Sequence, residues 1–222
     1  MYTSAHESPS RPPHASSRDA PGPLARLRHL QGSVAHLVES VREDHALAHR
    51  NGVKYGGKPD RVEPLPGALV QKVGLQMMAA YRLMRLFSGA GIPLLPRVMS
   101  RVIRHAYGAD IHWDAEFAPG VMVVHGMGMA VSYAARVGRG VVLSHNVTLG
   151  LGTHPETRES GGPTIEDDVV LGPGVTILGP ITVGARSKIM PGCLVVRSVP
   201  PDSLVEAPIP AVTPRGARRR SP

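Results

Sequence analysis

Residues 165–195 read IEDDVVLGPGVTILGPITVGARSKIMPGCLV, and a large aliphatic residue returns at every sixth place: Ile165, Leu171, Ile177, Val183, Ile189 and Val195. The same frame extends backwards. It skips a ten-residue insertion to Leu149, Leu143, Val137 and Val131, then slips by two residues to Val123, Phe117 and Ile111. All thirteen positions are apolar, where background usage fills about six. Neither a 3.6-residue nor a 2-residue period produces such a string. A period of six with β-branched residues at the repeat start predicts a parallel β-helix, with three six-residue sides making a coil of about 18 residues. Each framed side chain then points inward and stacks on the one a coil away, Leu171 on Ile189 for example.

Before this region the pattern is different. Residues 1–23 are rich in Ser, Pro and His and are expected to be a disordered tail, because they hold too little apolar surface to offset ordering. Leu24, Leu27, Leu30, Val34, Leu37 and Val41 follow at helical spacing and predict an amphipathic helix to about His49. Asn51-Gly52, Gly56-Gly57, Pro59, Pro64 and Pro66 break it and mark a linker over 51–66. Two further helices are expected over 68–87 and 96–107. The organisation read from the sequence is therefore a tail (1–23), an α-helical region (24–106), a β-helix (107–212) carrying a loop at 150–164, and a basic tail (213–222).

Composition narrows the function. The chain has 222 residues, 42% hydrophobic and 19% charged, as soluble globular proteins do. No apolar run approaches the length of a spanning helix, and the first residues lack the apolar core of a secretory signal. The single cysteine, Cys193, permits no internal disulfide and reads as a packed small residue rather than a nucleophile. A cytoplasmic location is expected. The net charge of +8 is concentrated in residues 51–105, with nine basic and two acidic groups, where it suits a phosphate-bearing ligand or an acidic partner. The Arg215, Arg218, Arg219, Arg220 tail lacks the interleaved aromatics of a nucleic-acid surface, so no nucleic-acid partner is expected.

The segments AYRLMRLFSGAGIPLLPRVMSRVIRHAYGADIH (80–112), VGRGVVLSHNVTLG (137–150), VVLGPGVTILGPITVG (169–184) and VRSVPPDSL (196–204) resemble the serine acetyltransferase branch of the hexapeptide-repeat acyltransferases. The resemblance covers roughly residues 60–212. It implies a left-handed β-helix, a hand that the preference for right-handed crossovers would not have suggested. It also implies acetyl-CoA as donor, a small alcohol as acceptor, no metal, and homotrimers or pairs of trimers with active sites between subunits. His125 matches the family's catalytic histidine and Asp110 its orienting aspartate, fifteen residues before it. An alcohol is a poor nucleophile at neutral pH, so a neutral imidazole must take its proton. A carboxylate on the other ring nitrogen fixes the tautomer and steadies the imidazolium. For the donor, Lys188 matches a CoA-contacting lysine, and Gly152 and Pro173 fall at the matching turns.

The chain also departs from that pattern. Where the family carries an Arg-His pair before the loop's closing proline, Gly161 and Gly162 precede Pro163, and Val124 stands where an aspartate precedes the catalytic histidine. Those groups would hold the charges of an amino acid. His154, Arg158 and Asp60 are the candidates to replace them. The chain ends Arg-Arg-Arg-Ser-Pro rather than in the isoleucine used for docking, so no cysteine synthase complex is expected. The implied activity is acetyl transfer to L-serine, with a sugar or polysaccharide-precursor acceptor as the alternative. Two other classes stay open. A γ-type carbonic anhydrase needs three imidazoles on one zinc, for which His125, His145 and His154 are the candidates at spacings that do not match that branch. A non-catalytic trimeric scaffold needs none of these residues.

Overall fold

A computed structural model describes residues 23–54, 62–154 and 156–208. Among the described residues four helices precede the repeats: α1 (Pro23–Lys54), α2 (Leu65–Gln71), α3 (Val73–Gly89) and α4 (Leu94–Tyr107). The single helix expected over 68–87 is two, divided where Lys72 turns extended (φ −102°, ψ 100°). The break lets α3 start against the coils. Gly74 packs so closely on Val123 that a Cβ there would collide with the Val123 carbonyl, a contact only glycine permits. The α1 stripe is buried at Val41, while Val34 is 42% exposed.

From Asp110 the chain winds into three parallel sheets. The first carries Asp110–Ile111, Ala130–Val131, Thr148–Gly150, Thr176–Leu178 and Leu194–Val195. The second carries Glu116–Phe117, Arg136–Val137, Thr164–Ile165 and Thr182–Val183, and the third Met122–Val123, Val142–Leu143, Val170–Leu171, Lys188–Ile189 and Leu204–Val205. All thirteen framed residues lie on these strands and all are buried. Leu171 pairs with Ile189, the predicted stacking. The two-residue slip lengthens the first coil, which pairs Val123 with Leu143. The ten-residue insertion lengthens the third, pairing Leu143 with Leu171. Buried Cys193 belongs to the same core.

The insertion, expected as a loop, is a short antiparallel hairpin of Gly152–Thr153 against Ser160–Gly161. Thr153 and Ser160 hydroxyls meet at 3.0 Å, and the His154 amide donates to the Glu159 carbonyl at 2.7 Å. Polar side chains thus close a segment that has no apolar core of its own.

A buried ion pair ties the helices to the first coil. Arg82 on α3 donates through Nε and NH2 to both oxygens of Asp44 on α1, at 3.1 and 3.0 Å. It also donates to the Phe117 and Ala118 carbonyls at 2.9 and 2.7 Å. Asp44 in turn accepts the Gly120 and Val121 amides at 3.0 and 2.8 Å. Both side chains are buried, at 5% and 1% exposed. Burial pushes the Asp44 carboxyl above its ordinary range, against the pull of Arg82. Tyr81 packs beside them on Phe117, ring centroids 4.8 Å apart, and donates to the Ala115 carbonyl. Arg82→Met should cost about 3–5 kcal/mol in urea unfolding, because it leaves the Asp44 charge buried and unpaired. A loss below about 1 kcal/mol, the scale of an exposed pair, would contradict the assignment.

Candidate functional site

His125 sits at the corner between the third and first sheets, where the two-residue slip enlarges the turn. Val124 still pairs with the next coil, its amide donating to the Leu143 carbonyl at 2.7 Å. The chain then reverses through two left-handed residues, His125 (φ 65°) and Gly126 (φ 72°), with the Gly126 amide returning to the Val124 carbonyl at 2.8 Å. A positive φ is uncommon outside glycine and clusters at functional positions. The turn leaves His125 exposed.

The exposed histidine opens on a cleft of about 620 Å³ between the helices and the third sheet. Gln71, Lys72 and Val73 line it at the α2–α3 break, with Tyr107 from α4 and Val123 and Met127 from the coil. Asp44 closes one wall, but its oxygens are occupied by Arg82, Gly120 and Val121. Lys72 lies 3.3 Å from Glu63. A larger cleft, about 1080 Å³, lies between α1, α3 and the second sheet and does not include His125. Chemistry, not size, selects the smaller one.

The orienting contact expected of Asp110 is not made within this chain. Asp110 Oδ2 lies 2.7 Å from Arg104 NH2 on the last turn of α4, and no hydrogen bond joins it to His125. A guanidinium within reach attracts a carboxylate more strongly than a neutral imidazole does. Among the described residues the ring that meets His125 is instead His145, with centroids 6.0 Å apart and planes at 65°. His145 follows Leu143 as His125 follows Val123, and those two residues are register partners. Sequence reading considered His145 only as a metal ligand. The signal that places it here is its spacing of twenty from His125, which is the length of the first coil.

The other candidates are dispersed. Pro173 follows Leu171 on the same corner, one coil beyond His145, and the Gly174 amide donates to the His145 carbonyl at 3.1 Å. Lys188 is exposed on the third sheet and has no ion-pair partner among the described residues. Gly152, at the hairpin's start, lies against Gly179 of the following coil. His154 caps the hairpin turn: its Nδ1 accepts the Glu156 and Thr157 amides at 3.3 and 3.2 Å, which leaves only Nε2 for a ligand. Arg158 is exposed in the same turn, and Asp60 lies outside the described residues. Among the described residues no three His, Cys, Asp or Glu side chains converge as metal ligands.

Comparison with known proteins gives a consistent picture. The family described as bacterial transferase hexapeptide (six repeats) matches residues 162–197. The chain is 36% identical over 138 residues to serine acetyltransferase 2 of Arabidopsis thaliana, a match spanning 62% of this chain and 42% of that protein. It is 37% identical over 146 residues to a serine acetyltransferase of Synechocystis, spanning 65% and 58%. The chain spans about half the length of the curated relatives it matches. Among solved structures, serine acetyltransferase of Neisseria gonorrhoeae in complex with serine aligns with a TM-score of 0.67 and 27% identity, over 85% of this chain and 73% of that one. Isoform 3 of Entamoeba histolytica in complex with cysteine aligns at 0.66 and 25%, over 89% and 68%. The fold is a left-handed parallel β-helix behind N-terminal helices, as the resemblance implied.

The Gly161-Gly162 departure is built into the packing. A Cβ on Gly162 would stand 2.7 Å from the Ala134 carbonyl carbon, so the hairpin's return strand lies backbone to backbone on the preceding coil. Gly162→His should therefore lower stability by about 1–3 kcal/mol, read as a fall in urea midpoint. An unchanged midpoint would show that the coil yields easily.

Proposed function

From the premise that this chain is a serine acetyltransferase-like member of the hexapeptide-repeat acyltransferases, we propose that it transfers an acetyl group from acetyl-CoA to the hydroxyl of L-serine. The observation that carries this is His125, an exposed imidazole held by a left-handed turn at the mouth of a cleft, in a fold shared with enzymes of that name. The acceptor oxygen attacks the thioester carbonyl carbon while His125 takes its proton. The C–S bond then breaks, and the departing sulfur receives that proton from His125. The products are the acetyl ester and free CoA thiol, and the base returns to its starting state.

Asp110 acts when charge appears. Before reaction it is paired with Arg104, and a neutral ring does not compete for it. As His125 becomes a cation the carboxylate has a reason to exchange partners, and it then steadies the imidazolium. For the donor, Pro173 lies on the His125 corner, and exposed Lys188, with no ion-pair partner among the described residues, offers its ammonium to a phosphate. Gly152 offers backbone at the hairpin's root. Assembly into trimers, or pairs of trimers, belongs to the same proposal and is supported by the outward face of α4, where Leu94, Val98 and Val102 are exposed at helical spacing. So does a cytoplasmic location; no helix among the described residues is long and apolar enough to cross a membrane.

A second reading, a sugar or other neutral alcohol as acceptor, is favoured by one feature of the cleft. Among the described residues that line it, Asp44 is the only carboxylate, and its oxygens are already bonded. An ammonium entering there finds no free partner. Release of CoA thiol, measured with L-serine and with a panel of sugars, separates the two: serine-dependent release supports the first reading, release with a sugar alone the second. His125→Ala should lower turnover at least about 100-fold. Near-wild-type turnover in a folded His125→Ala protein would remove this residue from the mechanism.

A further inference from the structure

The positions that would take the charges of an amino-acid acceptor are held here by Gly161, Gly162 and Val124, so the carboxylate of such an acceptor needs another partner. Among the described residues that line the cleft, Lys72 is the one basic side chain besides His125, and it lies 3.3 Å from Glu63. Arg104 is placed differently. It sits on the last turn of α4, and the chain that follows it runs beside the turn that carries His125. Tyr107 lines the cleft together with His125. The Gly108 carbonyl accepts the Gly128 amide at 3.0 Å, and the Asp110 amide donates to the Met129 carbonyl at 2.8 Å.

The hold of Arg104 on Asp110 is loose. One guanidinium nitrogen lies 2.7 Å from one carboxylate oxygen, with the two side chains 55% and 48% exposed. Arg82 and Arg186, by contrast, each hold a carboxylate through two nitrogens. A single exposed contact is screened by water and adds little, whereas a carboxylate arriving with both oxygens in plane satisfies the guanidinium fork.

We propose that Arg104 binds the carboxylate of the acceptor, and that this carboxylate rather than an ammonium defines the substrate class. The class is then hydroxy carboxylates, of which L-serine is one. This rests on the reading of acetyl transfer with His125 as the base. An ammonium has no counterpart, since the oxygens of Asp44, the one carboxylate lining the cleft among the described residues, are already bonded. The exchange also times the base: an acceptor carboxylate on Arg104 releases Asp110 to His125, which completes the pair only when an acceptor is present. Arg104 forms no covalent bond and moves no proton, so the transfer written above keeps its balance.

Release of CoA thiol, fitted for kcat and KM, tests this with L-serine and with two probes that each delete one charge. These are 3-hydroxypropanoate, which lacks the ammonium, and ethanolamine, which lacks the carboxylate. In the wild type, 3-hydroxypropanoate is expected to keep kcat/KM within about tenfold of L-serine, and ethanolamine to fall at least about 30-fold below it. Arg104→Met should lower kcat/KM about 30- to 100-fold for both carboxylate acceptors, with the KM for acetyl-CoA little changed. Arg104→Lys, which keeps the charge but not the fork, should recover part of that loss. Ethanolamine gives Arg104 nothing to hold, so its rate, however low, should be the same in the wild type and Arg104→Met. If melting shows Arg104→Met to be unfolded, Arg104→Gln replaces it. Loss of activity toward 3-hydroxypropanoate with ethanolamine retained, L-serine kinetics unchanged by Arg104→Met, or an equal fall for ethanolamine in that variant would each overturn the proposal. If His125→Ala is inactive with L-serine while Arg104→Met matches the wild type, only the Arg104 assignment falls. If His125→Ala is active, or the wild type releases thiol with no acceptor in the set, the underlying reading fails and this one fails with it.

Discussion

The Asp44–Arg82 pair is the constraint on which the rest of the site depends. It joins α1 to α3 and both to the first coil, since Arg82 reaches the Phe117 and Ala118 carbonyls and Asp44 the Gly120 and Val121 amides. Removing two charges from water is costly, and such a pair is not by itself a source of net stability. Here every bond has a directional partner, so the arrangement fixes a geometry. With α3 seated, Gly74 rests on the Val123 carbonyl and Met77 lies beneath Gly126. The left-handed turn that presents His125 is thus supported from below by the helix that the ion pair holds.

The β-helix supplies a rigid column on which this corner is one step. Buried aliphatic side chains stack along the third sheet in unbroken register from Leu143 through Leu171 to Ile189. The corners carry charge as well as backbone turns. Arg186 and Asp202, both left-handed, form a bidentate pair with contacts of 2.6 Å, and Arg186 holds the Asp202 carboxyl below its usual range. Being exposed, that pair is screened by solvent and adds little stability. Its position shows how a side chain at a corner meets the one a coil away, the relation that also brings His125 and His145 together.

The six-residue frame was legible because each repeat is local: one buried residue, one corner, then the next. Its stacking partners followed from counting, and Leu171 on Ile189 is a direct case. What lay between elements was not. The break at Lys72 arises from the approach of α3 to Val123, a contact distant in sequence that propensity does not encode. Arg82 counted as one of nine basic groups in a charged region, yet it is buried and bonded through all three guanidinium nitrogens, so part of that charge never faces solvent. The insertion was recognised by length, while its hairpin depends on the Thr153–Ser160 contact. For the site, the family resemblance pointed to Asp110 and His125 but not to Arg104, whose claim on Asp110 comes from the way α4 ends beside the first strand. His145 was within reach, since twenty residues is one coil of the enlarged type. Only the register made that spacing meaningful.

The most direct test of the account is identification of the product. Protein incubated with acetyl-CoA and an equimolar mixture of L-serine and neutral sugars is quenched in mild acid, which keeps esters from migrating to nitrogen, and the acetylated species are resolved by mass spectrometry. The account predicts an acetyl ester on the serine hydroxyl that is absent when His125→Ala replaces the wild-type chain. Acetyl-CoA left intact with every acceptor, or an acetyl group placed directly on nitrogen, would contradict it.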